Sequence, residues 1–174
     1  IGIGFAVGAG VARYLTVSSD QSQGIKFSDI LKALKPIFEN SQIVKIAHNA
    51  NYGVTVLAKH GIDVQGLTFD SMIAAFLMNK RDLSLEALAR DVLGESVPTI
   101  TDLLGEGKKK KTIDQVDVTE VSRYECIYVD MAFRMVSPMI KVLKSGDMWD
   151  LFTRVEMPLL PVLVHMQQNG ITVD

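Results

Sequence analysis

The spacing of apolar residues divides the first part of the chain into short β-rich runs followed by a helix. Two β-rich runs, at residues 1–7 and 11–17, flank the glycine turn at 8–10 and predict an antiparallel hairpin. Between Phe27 and Phe38 the apolar residues recur at helical spacing behind Ser28. This second pattern predicts an amphipathic helix.

The next segment alternates between strands and helices. Apolar runs at 43–47 and 67–69 predict short buried strands, and helical patterns follow at about 49–60 and 71–78. Asp70 stands at the second strand-to-helix junction, where an N-cap is a better interpretation than an additional acid near a catalytic site. Strands that alternate with helices indicate a parallel sheet covered by helices, and therefore an α/β fold.

The second half of the chain has the pattern of helices. A helix at 83–93 ends at Gly94, and a polar loop leads to a long helix that begins with the capping box of Asp117 and Glu120. Its predicted buried face consists of Val121, Tyr124, Tyr128, Met131, Met135 and Val142. A last helix over 147–168 carries one apolar stripe, Phe152, Val155, Leu159, Leu163 and Met166. Bends are expected at its two prolines, Pro158 and Pro161, and a kink at Pro138.

Composition and charge narrow the class of protein. The 174 residues are 48% hydrophobic, and 18 Lys and Arg against 20 Asp and Glu give a formal net charge of -2. No overall positive field attracts DNA or anionic lipid, so any DNA contact must be local. The single Cys126 and the lack of a secretory leader predict a reduced, cytoplasmic location. The apolar run 157–166 is too short for a membrane span, which needs roughly 20 residues.

Both ends of the sequence suggest a piece of a longer polypeptide. The chain opens inside an apolar run, and after the helix cap at Asn169-Gly170 it stops within the β-branched segment 171–174. The three histidines, His48, His60 and His165, lie far apart without metal-ligand spacing, and a structural role is predicted for each.

Four segments carry a family resemblance: Ala-His-Asn-Ala-Asn-Tyr-Gly at 47–53, Gly-Leu-Thr-Phe-Asp at 66–70, Arg-Tyr-Glu-Cys-Ile-Tyr-Val-Asp at 123–130, and Val-Glu-Met-Pro-Leu-Leu-Pro-Val-Leu at 155–163. In this order they resemble the 3′-to-5′ exonuclease domain of bacterial family A DNA polymerase I. The resemblance implies a ribonuclease H-like mixed β-sheet flanked by helices, with a helical C-terminal part. It also implies an exonuclease-like domain over 1–146, with its N-terminal strand missing, and a junction to a polymerase domain over 147–174.

The family's proofreading chemistry uses four carboxylates that hold two divalent metal ions against the scissile phosphate. By this resemblance the strand with the family's Asp-x-Glu pair would lie upstream of Ile1, and the pair is absent from this chain. The resemblance places the other two ligands at Gly53 and Tyr128, and the tyrosine that orients the attacking water at Tyr124. Glycine and tyrosine cannot replace hard anionic oxygens as Mg²⁺ ligands. These three positions are therefore interpreted as a vestigial site, with no metal expected.

Two nearby acids, Asp130 and Glu125, are candidate replacement ligands. Around the helix, Asp130 and Glu125 differ in direction from Tyr128 by roughly 200° and 60° respectively. Asp130 is therefore a poor substitute and Glu125 a marginal one. Tyr128 is instead predicted to be a buried ring that fills the emptied cleft.

Residues that could contact nucleic acid are Asn49, Tyr52, Lys108, Lys109, Lys110 and Lys111. Tyr52 and Asn49 could stack on and hydrogen-bond to a single strand, although packing is the preferred interpretation. The lysine run could neutralise phosphates or form a solvated loop, and the two alternatives are equally supported.

The resemblance implies that the parent protein is a DNA-directed DNA polymerase, a nucleotidyltransferase of DNA replication and repair that uses Mg²⁺. The chain itself is predicted to be an exonuclease-like domain without proofreading activity, retained beside the polymerase domain. One alternative is a module that binds single-stranded DNA without cutting it. The other is an active two-metal exonuclease with ligands outside this chain.

Overall fold

A computed structural model of the chain describes residues 2–16, 25–107 and 110–170. The strands are β1 (Gly2–Gly8), β2 (Val11–Thr16), β3 (Lys45–Ala47) and β4 (Leu67–Asp70). The helices are α1 (Phe27–Phe38), α2 (Ala50–Lys59), α3 (Ser71–Leu77), α4 (Leu85–Leu88), α5 (Ile100–Leu104), α6 (Val118–Ser145), α7 (Trp149–Leu151) and α8 (Met157–Asn169). Two π-helical turns, Ala89–Leu93 and Phe152–Glu156, and one 3₁₀ turn, Ile113–Gln115, complete the described elements. The predicted strand ends at Ile1 and Val17 and the segment 171–174 lie outside the described residues.

The chain divides into two compact units. The first consists of Ile1–Ile30 with Asp82–Met135, and the second of Leu31–Arg81 with Val136–Asp174. The predicted α/β class is confirmed, with the described strands arranged as two separate pairs, β1 with β2 and β3 with β4.

The first unit contains the predicted hairpin. Strand β1 pairs antiparallel with β2, and the register shifts between Ala6 and Gly8 just before the turn. Gly10 in that turn has a φ of 72°, which favours a residue without a Cβ. The buried side chains of this unit come mainly from α4, the first π-helical turn and α6: Leu85, Leu88, Ala89, Val121, Tyr124, Met131 and Met135.

The second unit contains the predicted parallel pair. Strand β3 is shorter than predicted, and its last residue, Ala47, pairs with Asp70 at the end of β4. Helix α8 packs on α2 and β4 through Leu160 and Val164. Phe152 is fully buried, and its ring centroid lies 5.0 Å from that of Phe69. Within the described residues, no helix is both long and apolar enough to cross a membrane.

The predicted face of the long helix is confirmed at Val121, Tyr124, Met131 and Met135, only partly buried at Tyr128, and wrong at Val142. Val142 is 46% exposed, because beyond Met135 the helix belongs to the second unit. In the second unit the buried residues of this helix are Met139 and Leu143. They follow Met135 at steps of four residues, so the buried face rotates around the helix axis by about 80°. Tyr128, expected to be buried, is half-buried. The helix continues through Pro138.

The predicted stripe of the last helix is wrong for a single local reason. Phe152 is buried, but the other four predicted positions, Val155, Leu159, Leu163 and Met166, are exposed. The π-helical turn Phe152–Glu156 adds one residue to a helical turn, so the downstream pattern is displaced by one position. The residues that are buried after this turn are Met157, Leu160 and Val164.

Candidate functional site

The buried carboxylate of Asp70 holds together the segment that resembles one of the family's metal-binding regions. Asp70 is 2% exposed and accepts hydrogen bonds from the N–H groups of two helices. Its Oδ2 lies 2.6 Å from the nitrogen of Ala50 at the start of α2, and its Oδ1 lies 2.7 Å from the nitrogen of Met72 in α3. Longer bonds of 3.3 Å come from the nitrogens of Asn49 and Ile73. Asp70 therefore caps both helices, where the sequence predicted only the cap on α3.

His48 and Ser71 form a pair that the sequence spacing did not reveal. The Nδ1 atom of His48 lies 2.9 Å from the Oγ of Ser71, which also lies 3.4 Å from the carbonyl oxygen of Ala47. Ser71 is 0% exposed, so no substrate reaches its hydroxyl. The pair therefore joins the end of β3 to the start of α3 and is not arranged for nucleophilic catalysis.

Three of the sequence-predicted positions lie at the start of α2, one before the helix and two in its first turn. Asn49 precedes the helix in the left-handed conformation, with a φ of 58° and no cap bond from its side chain. Tyr52 is 72% exposed, so the packing interpretation of its ring is wrong. Gly53 is exposed, and a Cβ added there would meet no atom within 4 Å. Where the resemblance places a metal-binding carboxylate, the chain therefore leaves open space.

The other two positions of the vestigial site lie on α6 in the first unit. The rings of Tyr124 and Tyr128 pack with centroids 6.0 Å apart and an interplanar angle of 36°. The Tyr124 hydroxyl lies 3.5 Å from Glu86 Oε1, and burial, with further contributions from Glu86 and Glu125, raises the pKa of Tyr124 to about 12. Tyr124 therefore remains a neutral hydroxyl directed at a carboxylate of its own unit.

Both carboxylate oxygens of Asp130 make structural contacts. Its Oδ1 accepts a hydrogen bond of 2.6 Å from the Gly10 nitrogen in the hairpin turn. Its Oδ2 lies 3.6 Å from Arg134 Nη1, and the same guanidinium pairs with Glu95. These contacts join the hairpin to α6 and engage both oxygens of this candidate replacement ligand.

Glu125, the second candidate replacement ligand, faces the hairpin. A Cβ added at Gly4 would lie 3.4 Å from Glu125 Oε2 and 3.1 Å from Val129, so β1 approaches α6 closely here. Burial raises the pKa of Glu125 above its ordinary value, and its charge contributes to the raised pKa of Tyr14. The carboxylate therefore occupies a place that disfavours its ionised form.

We expect Glu125→Gln to raise the midpoint of thermal unfolding at pH 7. A raised pKa in the folded state means that the folded protein holds the proton more tightly than the unfolded chain does. The stabilisation from this proton is complete below the unfolded pKa and is lost as the pH rises through the folded pKa. The neutral amide removes that loss, so the difference between the variant and the unaltered protein should vanish in acid. Unfolding curves at several pH values test this.

The matched control is Glu106→Gln, which removes the same charge from an exposed loop position. We expect it to leave the midpoint nearly unchanged. If the two variants shift the midpoint equally at pH 7, the effect comes from net charge and not from the burial of Glu125.

The residues present do not fit the two-metal centre that the resemblance implies. Among the residues that the structure describes, no group of three or more His, Cys, Asp and Glu is arranged to hold a metal ion. The implied ligand positions are Gly53 and Tyr128, and the nearby Asp130 is engaged by the hairpin, whereas Mg²⁺ is held through carboxylates, phosphates and water. No step through a metal ion can be assigned to these side chains.

The remaining predicted contacts lie on a loop. Lys108 and Lys109 lie outside the described residues, whereas Lys110 and Lys111 are exposed. The backbone nitrogen of Lys111 donates to the Leu104 carbonyl oxygen at 2.8 Å, which fixes the loop to the end of α5. Helix α5 interrupts the loop predicted from sequence and has a capping box formed by Thr99 and Asp102.

A groove of about 910 Å³ in the second unit lies between α2, β4 and α8. Its lining includes Val54, Leu67 and Pro161, together with the polar residues Asp63 and His165. Gly53 is not part of this lining. A mainly apolar groove with one acid has no arrangement that would hold two metal ions.

Comparison with known proteins settles the family. Residues 1–130 match the profile of the 3′-5′ exonuclease domain of DNA polymerase A. The chain belongs to this 3′-5′ exonuclease family. The resemblance seen in the sequence motifs is thus confirmed, and the matched range includes Gly53, Tyr124 and Tyr128.

Curated relatives of this exonuclease domain are DNA polymerases of bacteria. The chain is 35% identical over its whole length to DNA polymerase I of Chloroflexus aurantiacus and covers 19% of that protein. It is 28% identical to DNA polymerase I of Pseudomonas aeruginosa, again over 100% of the chain and 20% of the relative. The chain therefore spans about a fifth of the length of these relatives and corresponds to their 3′-5′ exonuclease domain.

Solved structures confirm the ribonuclease H-like α/β fold of this exonuclease domain. A structure described as the POL domain of Pol1 from M. smegmatis in complex with DNA primer-template and dNTP matches with a TM-score of 0.75 and 20% identity, over 100% of this chain and 28% of that chain. Brucella melitensis NrnC with bound Mg²⁺ matches with a TM-score of 0.68 and 13% identity, over 97% of this chain and 76% of that chain. At these identities the likeness concerns the fold.

Proposed function

We propose that this chain is an exonuclease-type domain that does not hydrolyse DNA and serves as a structural neighbour of the polymerase part of a DNA polymerase I. The observation that carries the proposal is the chemistry of the two ligand positions. Gly53 leaves open space where a carboxylate is required, and Tyr128 packs its ring on Tyr124. Asp130 is held by the hairpin and Arg134, which removes it as a replacement.

The expected result is that neither the chain nor its full-length parent releases mononucleotides from end-labelled single-stranded DNA in the presence of Mg²⁺ or Mn²⁺. Two-metal hydrolysis depends on carboxylates that fix both ions against the phosphate, and loss of two of about four ligands removes that arrangement. The assay compares each protein with a no-enzyme control and with an active exonuclease. Steady release above the no-enzyme control supports the alternative of an active exonuclease with ligands outside this chain.

We extend the proposal to the parent protein. By similarity to DNA polymerase I relatives, the parent is a cytoplasmic, Mg²⁺-dependent DNA-directed DNA polymerase that acts in DNA replication and repair. Residues 147–174 then join the exonuclease-like part, 1–146, to the polymerase part. Extension of a primed template by the full-length protein tests this, and a parent without primer extension contradicts it.

A second candidate function is binding of single-stranded DNA without cleavage. The observation that favours it is the 72% exposure of the Tyr52 ring, which offers a free face for base stacking. Stacking on one aromatic ring contributes about 1–3 kcal/mol, so Tyr52→Ala should weaken binding of an oligonucleotide by roughly 5- to 150-fold. Fluorescence anisotropy at two salt concentrations measures this, with Val44→Ala as an exposed control. Equal, weak binding by all three proteins contradicts this function.

A further inference from the structure

The last helix of the chain is apolar on two opposite faces. Met157, Leu160 and Val164 are buried inside the second unit. On the opposite side lies what we call the outer stripe: Leu159, Val162, Leu163 and Met166. These four side chains are 42%, 51%, 42% and 62% exposed. Their spacing of i, i+3, i+4 and i+7 places them on one face of α8.

The π-helical turn before α8 produces this arrangement. Without the additional residue in Phe152–Glu156, continuation of the pattern from Phe152 would direct Leu159 and Leu163 into the core. With it, Leu160 and Val164 enter the core and the outer stripe points outward. A helix that is apolar nearly all round is typical of a buried position. The outer stripe thus has the composition of an interface and not of a solvated surface.

The extent of the similarity to known proteins indicates what covers the outer stripe. The exonuclease profile ends at residue 130, whereas the similarity to DNA polymerase I of Chloroflexus aurantiacus covers the whole chain, including α8. Helix α8 is therefore shared with polymerases but lies outside the exonuclease profile. Because the chain covers only 19% of that relative, most of such a polypeptide lies elsewhere.

The absence of Lys and Arg from α8 argues against a membrane surface or DNA as the partner of the outer stripe. Helix α8 contains no Lys or Arg, and its sequence is Met-Pro-Leu-Leu-Pro-Val-Leu-Val-His-Met-Gln-Gln-Asn. Helices that lie on membrane surfaces are rich in Lys and Arg on their polar face, and DNA is contacted through the same residues. An uncharged apolar stripe is typical of a permanent protein interface.

We propose that the outer stripe docks against the polymerase part of the same polypeptide and so fixes the exonuclease-like domain to it. This inference rests on the proposed function, because it requires the parent to be a DNA polymerase I. It goes further in naming the face of α8 that makes the contact.

The test introduces cysteines into the full-length protein. Val162→Cys probes the outer stripe, and Val142→Cys is the matched control because Val142 is 46% exposed against 51% for Val162. Rates of alkylation by iodoacetamide are measured by peptide mass spectrometry, which separates these sites from Cys126. Docking predicts that position 162 reacts roughly tenfold more slowly than position 142, because a buried thiol reacts only on local opening. If Val162→Cys does not fold, Leu163→Cys takes its place.

Equal rates at the two positions overturn the docking proposal. Protection of position 162 that is lost on dilution shows that a second copy covers the stripe, and this also overturns it. Primer extension by the same preparation separates the two proposals: an active polymerase with a reactive position 162 refutes the docking alone, whereas a full-length protein without extension refutes the proposed function.

Discussion

Asp70→Ala should lower the free energy of unfolding by about 3 kcal/mol, because one carboxylate caps two helices and each lost cap costs about 1 to 2 kcal/mol. Asp70 is 2% exposed, so water does not readily replace its oxygens at the nitrogens of Ala50 and Met72. For a protein of this size the midpoint of thermal unfolding should fall by roughly 6–12 °C. Calorimetry or circular dichroism on the purified protein measures the change.

Two further variants separate capping from other effects. Asp102→Ala removes the exposed N3 acid of the capping box on the short helix α5, and we expect a cost of about 1 kcal/mol or less. Asp70→Asn keeps the shape and one acceptor oxygen, so its cost should lie between those of the two alanine variants. A midpoint for Asp70→Ala that equals that of Asp102→Ala would show that the second helix does not depend on this carboxylate.

Asp70 also shows how far the sequence could predict the site. Its position after a short β-rich run predicted the cap on α3 from local chemistry alone. The cap on α2 depends on the parallel pairing of β3 with β4, which sets Ala47 opposite Asp70 and brings the start of α2 to the carboxylate. Nothing near residue 50 signals this contact, because the acceptor is 20 residues away in the sequence.

The second half of the chain shows where periodicity fails. The apolar spacing from Phe152 predicted a stripe through Leu159 and Leu163, and one π-helical turn displaced it by a residue. A π-helical turn has the same types of residue as the α-helix around it, so helix propensities do not reveal it. In the long helix the prediction was wrong at Val142 because the buried face follows different neighbours in each unit. The hairpin was predicted correctly because turn glycines and β-rich runs act locally, and the parallel pair because the strands alternate with helices.

Tyr128→Asp should lower the free energy of unfolding by about 2 kcal/mol. The substitution removes an aromatic pair with Tyr124, worth about 0.5–1.5 kcal/mol, together with the partial burial of the ring. It also sets a new carboxylate three residues from Glu125, whose pKa is already raised by burial. The midpoint of thermal unfolding should fall by roughly 4–8 °C.

Two controls test the packing of this ring. Tyr128→Phe keeps the aromatic pair and should lower the midpoint less than Tyr128→Asp does. Tyr52→Asp makes the same exchange at a ring that is 72% exposed, and it should be nearly neutral because an acid in the first turn of α2 is favoured by the helix dipole. An unchanged midpoint for Tyr128→Asp would show that the ring contributes nothing to packing.

Gly53→Asp combined with Tyr128→Asp should restore neither metal binding nor hydrolysis in this chain. Gly53 has space for a side chain, and its replacement within a helix removes the entropic penalty of glycine, so the double variant should be no less stable than Tyr128→Asp alone. It nevertheless supplies two carboxylates for chemistry that uses about four. We therefore expect no rise of the unfolding midpoint on addition of Mn²⁺ and no mononucleotide release from labelled single-stranded DNA. A Mn²⁺-dependent rise would show that the two acids suffice to hold an ion, and release of mononucleotides would show that the number of ligands required is smaller.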